Sequence, residues 1–212
     1  MHVLIDKIVF GNPCNRDHGL MKKENYLDRM LPELIKFTPP KNTSQATKDE
    51  LHSLVKFCET KRIVQNNLYD EALLPHIKQI FVDAGASSEY ITEIMAAIAE
   101  DCIPFITKLK YYFNRPRPAQ LAPYFSIPLY PDFSYFTNNP SYPSGHTTLT
   151  TITCEVLGNH YPEAYQVTKR LIEDVMVSRL YLGVHYPSDN DFARVVAGKV
   201  VANAEFKAKF QL

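Results

Sequence analysis

Neither sign of charge is in surplus: Lys plus Arg and Asp plus Glu each total 23 in 212 residues, for a formal net charge of +0. A polyanion or an anionic membrane surface is therefore not the implied partner, and any positive site must be local and offset by acids elsewhere. No basic stripe interleaved with aromatics is present, so the nucleic-acid signature is missing too. Long apolar runs are also lacking. The most apolar stretch, Ile91 to Ile106, is interrupted by Glu93, Glu100, Asp101 and Pro104, and the uncharged stretch from Pro118 to Pro131 is broken by Pro123 and Pro128. Neither could cross a bilayer. Cysteine is sparse: Cys14, Cys58, Cys102 and Cys154 lie far apart with no Cys-x-x-Cys pair, which argues against a zinc knuckle. The last three sit in apolar, helix-like settings and read as reduced core residues. Met1-His2-Val3-Leu4-Ile5-Asp6 lacks a basic region followed by an apolar run, so no secretory signal is read and cytoplasmic residence is the expectation. No repeat, low-complexity tract or linker interrupts residues 1–212, which reads as one domain.

Strand signals are few, and helical spacing dominates, so the fold class expected is all-α. Residues 24–37 and 47–64 read as amphipathic helices separated by Thr38-Pro39-Pro40. A further helix is expected from about Leu68 to Val82, bent at Pro75. Gly85-Ala86-Ser87-Ser88 reads as a turn and cap, followed by a long apolar helix carrying Ile91, Ile94, Met95, Ile98 and Ile106 toward Lys110.

Three segments carry chemistry. The first is the basic stretch 108–118. Lys110 and Arg117 are seven apart, and two helical turns would set them on one face; Lys108 and Arg115 have the same spacing, so two registers are open. Fixed cations of this kind match phosphate oxygens, with Arg giving two parallel hydrogen bonds and Lys a point charge. A basic helix end would show the same residues.

In the second segment, Pro143-Ser144-Gly145-His146, a helix starts close to Ser144 and is expected to end near Gly158, a natural C-terminal cap. Free N–H groups at such a start bind an anion, and Gly145 allows close backbone approach. Ser144 can donate its hydroxyl, and His146 in the first turn can protonate a leaving oxygen.

The third segment holds Ser178-Arg179, His185 and Asp189. A helix through Ser178 is ended by Gly183 and Pro187, leaving His185 in a loop. Ser188 or Asp189 caps the next helix, with Phe192, Val195, Val196 and Val200 on its buried side. A histidine whose second nitrogen is held by a carboxylate keeps one tautomer and becomes the better nucleophile. Asp189 is the candidate holder. His2, His18, His52, His76 and His160 have no partners at ligand spacing and are assigned to surface or core.

Taken in order, the three segments resemble the signature of the superfamily joining class A acid phosphatases, type 2 phosphatidic acid phosphatases and vanadium haloperoxidases. That signature reads Lys, six residues, Arg-Pro; then Pro-Ser-Gly-His; then Ser-Arg, five residues, His, three residues, Asp. All three parts are complete here, within residues 108–189. Pro39-Pro40, Ser44 and Glu50-Leu51 also look, loosely, like the N-terminal region of soluble members.

The resemblance implies a compact helical bundle and a metal-independent phosphatase acting on small-molecule phosphomonoesters. Lys110, Arg117, Arg179, Ser144 and Gly145 would bind phosphate. The Lys110/Arg117 register is preferred because relatives carry Arg-Pro-Arg-Pro with the second Arg in the motif. His185 would form a phosphohistidine, Asp189 would orient it, and His146 would protonate the leaving alcohol. No metal or cofactor is expected, and vanadate would inhibit. Two alternatives share the site: a vanadate-dependent haloperoxidase, in which vanadate is the cofactor, and a non-catalytic phosphate binder. The aromatic, proline-rich stretch 118–142 is expected to be a long loop walling the substrate pocket.

Overall fold

The computed structural model of the chain describes residues 2–60, 73–131 and 138–212. The described residues are helical, with no strand among them. In chain order the helices are α1 (His2–Ile5), α2 (Asn15–Met21), α3 (Leu31–Leu34), α4 (Gln45–Thr60), α5 (Leu73–Asp83), α6 (Ser88–Phe113), α7 (Pro118–Leu121), α8 (Gly145–His160), α9 (Tyr165–Tyr181), α10 (Pro187–Ala202) and α11 (Ala204–Phe210).

The 26-residue α6 is the central rod. Ser87 caps it, its hydroxyl accepting from the Tyr90 N–H, as the turn-and-cap reading requires. Ile91, Ile98, Cys102, Phe105 and Leu109 recur at helical spacing and are buried. From Ile98 onward the stripe forms one core with Ile152 and Val156 of α8, Val196 and Val200 of α10, and Phe206 and Phe210 of α11, while Ile91 packs in a second core. That second core joins the other half of α8 and α9 to α5 through Ile77, Phe81, Leu157 and Val175. A third sets Leu51 and Leu54 of α4 beneath Leu121, Leu180 and Tyr186. Cys102 and Cys154 are buried thiols, Cys58 is half-buried and Cys14 exposed. Burial pushes the Cys102 thiol up to about 12, so it behaves as a small apolar core residue.

Four expectations are corrected. Residues 24–37 are not one helix: a 3-10 turn over Tyr26–Met30 precedes the four-residue α3, with Pro32 in its first turn. Helix α8 runs past Gly158 to His160; the glycine is a packing site, where a Cβ would meet the Tyr165 ring at 2.6 Å. The stretch 118–142 is not simply a loop, since α7 and a 3-10 turn over Ala122–Phe125 occupy its first part; residues 132–137 lie outside the described residues. Lys110 and Arg117 do not share a helix face. Asn114, at φ 46°, takes the left-handed conformation and ends α6, and Arg115-Pro116-Arg117 continues outside any helix. The ends of the helices expected at 47–64 and 68–82 fall partly in residues 61–72, also outside the described residues. No helix among the described residues is long and apolar enough to cross a membrane.

Candidate active site

The three segments meet where the C-terminal end of α6, the start of α8 and the loop between α9 and α10 come together. Helical period places Lys110 at the end of the buried stripe of α6, 3% exposed, its Nζ donating to Pro140 O at 2.6 Å. Helix α8 begins at Gly145 with Ser144 as its N-cap residue. The Ser144 N–H donates to the Asp189 carbonyl at 3.1 Å, so the start of α8 is docked on the first turn of α10. Thr147 Oγ1 donates to Asn190 Oδ1 at 2.8 Å, and Asn190 Nδ2 to Met176 O at 2.9 Å, locking α8, α10 and α9 together. A Cβ at Gly145 would lie 3.6 Å from Lys110 Cε, so the bare backbone of the helix start faces the Lys110 side chain. His146 is half-buried in that first turn.

The loop 182–186 turns at Gly183, whose φ of +66° favours glycine and whose Cβ would meet Cys58 Sγ at 2.9 Å. The turn brings His185 to the residue before the N-cap of α10. The cap itself is Tyr186, and Asp189 stands in the third helical position rather than capping directly. Its Oδ2 accepts from the Tyr186 N–H at 2.9 Å and pairs with His185 Nδ1 at 3.0 Å. One carboxylate thus closes the helix start and holds the imidazole.

The other ring nitrogen fixes the tautomer. Arg117 Nη1 lies 2.9 Å from His185 Nε2. A guanidinium can only donate, so Nε2 accepts and the ring proton sits on Nδ1, pointing at Asp189. Arg117 also donates through Nε to Asn139 O at 2.9 Å and through Nη1 to Val184 O at 2.7 Å, so its fork is aimed by backbone carbonyls. Arg179, 1% exposed near the end of α9, donates from Nε to Ser178 Oγ at 3.1 Å. The two registers separate in space. Lys108 pairs with Asp28 and donates to Lys23 O, away from the imidazole, while Lys110 and Arg117 surround it.

The cations here are buried and crowded, and both lower their hold on protons. Burial first, and the Arg117 charge second, hold Lys110 well below its ordinary value. Burial pushes Arg117 down to about 10, with Arg179 adding repulsion and Asp189 opposing it. Burial and the Arg117 cation hold His185 well below the usual histidine range despite its bond to Asp189. Burial works against ionisation of Asp189, but the Arg115 cation and the His185 hydrogen bond hold its carboxyl well below the carboxylate range. An anion entering this space would relieve every one of the depressed cations at once.

Arg115 was the residue that motif reading set aside. Its Nη1 donates to Asp189 Oδ1 at 2.6 Å and its Nη2 to Glu50 Oε2 at 2.9 Å. In the sequence Glu50 figures only in the loose N-terminal likeness, with no role attached; its partnership with Arg115 appears in the fold. Among the described residues no group of three or more His, Cys, Asp or Glu is arranged to hold a metal ion.

The PAP2 superfamily model matches residues 89–210, more than half the chain. A non-specific acid phosphatase of Providencia stuartii is 35% identical over 80 residues, 38% of this chain and 32% of that protein. The match thus spans about a third of the curated relative's length. Among solved structures, a transmembrane PAP2 type phosphatidylglycerolphosphate phosphatase from Bacillus subtilis superposes with a TM-score of 0.55, covering 92% of this chain and 98% of that one. At 16% identity that likeness concerns the fold alone.

Proposed function

The chain belongs to the PAP2 superfamily, and from that premise we propose that it is a phosphatase that hydrolyses small-molecule phosphomonoesters through a phosphohistidine at His185. The observation that carries the reading is the imidazole held between Asp189 at Nδ1 and Arg117 at Nε2. The nitrogen that would attack phosphorus is the one facing the cations that would hold the phosphate.

The steps follow from the donors available. Lys110, Arg117, Arg179 and the N–H groups at the start of α8 would take the three equatorial oxygens, whose charge must be matched in the transition state. The Nε2 lone pair of His185 attacks phosphorus, and the phosphorus–oxygen bond to the alcohol breaks. The leaving oxygen takes a proton from His146, whose half-buried position suits the side where an alcohol departs. Asp189 stabilises the imidazolium-like phosphohistidine through Nδ1. Water then gives a proton to His146 and attacks phosphorus, the phosphorus–nitrogen bond breaks, and its electron pair returns to Nε2. Catalysis here rests on positioning and fixed charge, so no divalent ion is called for. Vanadate, which adopts the five-coordinate shape of the transition state, would inhibit.

The test is hydrolysis of p-nitrophenyl phosphate by the wild-type chain and His185→Ala in excess EDTA. Turnover in the wild type, reduced at least about a thousandfold in the variant, supports the reading. Wild-type turnover that disappears in EDTA and returns with a divalent ion would overturn its metal-free mechanism, and near-normal turnover in the variant would overturn the nucleophile.

A further inference from the structure

One buried charged group is left unused by those steps. Arg115 is 3% exposed, yet it touches none of the atoms that would react. Its guanidinium bridges two carboxylates: Nη1 donates to Asp189 Oδ1 at 2.6 Å and to Ser188 Oγ at 2.8 Å, and Nη2 donates to Glu50 Oε2 at 2.9 Å. The guanidinium carbon lies 3.8 Å from the centroid of the Tyr186 ring. Glu50 uses its second oxygen as well, Oε1 accepting the Ser188 N–H at 2.7 Å in the first turn of α10. Glu50 thereby anchors Arg115, and Asp189 divides its two oxygens among its partners. Oδ1 goes to Arg115; Oδ2 goes to His185 and the Tyr186 N–H.

We infer that Glu50 and Arg115 are positioning residues for the Asp189–His185 pair, keeping Oδ2 on the imidazole and setting how strongly the carboxylate draws the Nδ1 proton. The inference rests on the phosphatase reading for its kinetic consequence, not for its geometry. Glu50 belongs to α4, before the family-matched stretch begins at residue 89. The N-terminal part of the chain would therefore tune a site whose reacting residues all lie beyond it.

The electrostatics give the two residues opposite signs. The Arg115 charge holds Asp189 ionised and weakens its pull on the imidazole proton; Glu50 partly neutralises Arg115. Losing Arg115 should raise the proton affinity of the Asp189–His185 pair, and losing the Glu50 charge should lower it. The other groups facing the pair are Lys110 of α6, Arg117 before α7 (itself beside Arg179 of α9), and Tyr142 and Tyr186 before α8 and α10. They are common to every variant below, so differences report on the bridge.

The experiment uses the full chain with Arg115→Gln, Arg115→Lys and Glu50→Gln. kcat and KM for p-nitrophenyl phosphate are measured over roughly pH 4–9, and the His185 ring nitrogens are titrated by NMR, which reads protonation with or without turnover. Arg115→Gln should lower kcat by about tenfold to a hundredfold with KM changed much less, and move the acid limb and the His185 titration to higher pH. Glu50→Gln should move both to lower pH. Arg115→Lys should return the acid limb toward wild type without restoring full kcat, because an ammonium cannot span both carboxylates as the fork does. A purely structural role would lower thermal stability and leave the limb and the titration in place in all three, which overturns the inference; so would shifts of one sign in Arg115→Gln and Glu50→Gln. If Arg115→Gln does not fold, Glu50→Gln and Arg115→Lys decide, and an unmoved titration in both overturns it. An inert wild type with opposed titration shifts would leave the positioning intact and sink the phosphatase reading.

Discussion

The middle of α6 and its C-terminal end both carry charge into protein, and they do it differently. Toward its middle, Asp101 is 9% exposed and its carboxylate is matched: Lys209 of α11 donates to Oδ1 and Oδ2 at 2.9 and 2.7 Å, and the Tyr26 hydroxyl to Oδ2 at 2.8 Å. The Asn25 side chain closes the cluster on the Asp101 carbonyl. At the C-terminal end Lys110, Arg115 and Arg117 converge on two carboxylates, Asp189 and Glu50, with Arg179 acting on Arg117 and Asp17 on Lys110. The first cluster is an internal tie between α6, α11 and the turn at Tyr26. The second sets more basic groups than acids in a buried space: burial first and mutual repulsion second lower the proton affinity of Lys110 and Arg117, while Arg115, against Asp189 and Glu50, keeps its charge. A charge surplus held in place by backbone carbonyls costs stability and is retained where a ligand restores the balance.

The largest effect that sharpens this contrast is on chemistry. Arg117→Ala removes a cation from the surplus cluster and the donor at His185 Nε2. It should lower kcat/KM for p-nitrophenyl phosphate by about a hundredfold to a thousandfold, the cost of one well-placed oxyanion donor. Lys209→Ala, in the balanced cluster, should leave kcat/KM within about twofold, because that pair touches nothing near the reacting atoms. Equal losses in both variants would erase the distinction.

The next effect is on stability against pH. The folded chain holds His185 neutral, whereas the unfolded chain titrates it near about 6.5. Below that value the unfolded state binds a proton the native state does not. Stability from this group is therefore full above about pH 6.5 and declines as pH falls, by up to about 1.4 kcal/mol per pH unit. Asp189 adds to the loss only at lower pH, below the usual carboxylate value of about 3.9, because its own folded value is depressed. Urea midpoints at about pH 7.5 and 5.5 check the slope, and inorganic phosphate should flatten it by favouring the charged ring. Greater stability at the lower pH would contradict the assignment of a neutral buried imidazole.

The smallest effect belongs to the balanced cluster. Tyr26→Phe deletes one hydrogen bond to Asp101 and should cost about 1 kcal/mol, read as a lower urea midpoint with unchanged kcat. A change in kcat would mean that the middle of α6 and its C-terminal end are coupled.

How much of this was legible in the sequence follows from the range of the interactions. The helix start at Ser144, the cap at Ser87 and the loop placement of His185 are local, and residue types with their spacing reveal them. The His185–Asp189 pair is local too, and its double duty at the start of α10 was readable as two compatible roles. The choice between Lys110 with Arg117 and Lys108 with Arg115 was open to periodicity, because seven residues fit two helical turns. The chain spans that distance instead with one turn of helix, a left-handed Asn114 and a proline-spaced segment. Asn114 before Arg115-Pro116 was the available signal, since a helix cannot run on through that proline unbroken. Glu50 stood in the loose N-terminal likeness, but its role was out of reach: its partner Arg115 is 65 positions away, and only packing brings α4 beneath the loop before α10. Residues 24–37 misled because their apolar spacing is helical while Pro32 shortens what can form.

The most direct test of the account is to find the phosphoryl group. Rapid mixing of the wild-type chain and His146→Ala with p-nitrophenyl phosphate, an alkaline quench that preserves phosphoramidates, and peptide mass spectrometry would locate it. The account predicts a phosphoryl adduct on His185, more abundant in His146→Ala because water attack is slowed while the nitrophenolate leaves unaided. An adduct on another residue, or turnover in both proteins with no adduct on His185, would contradict it.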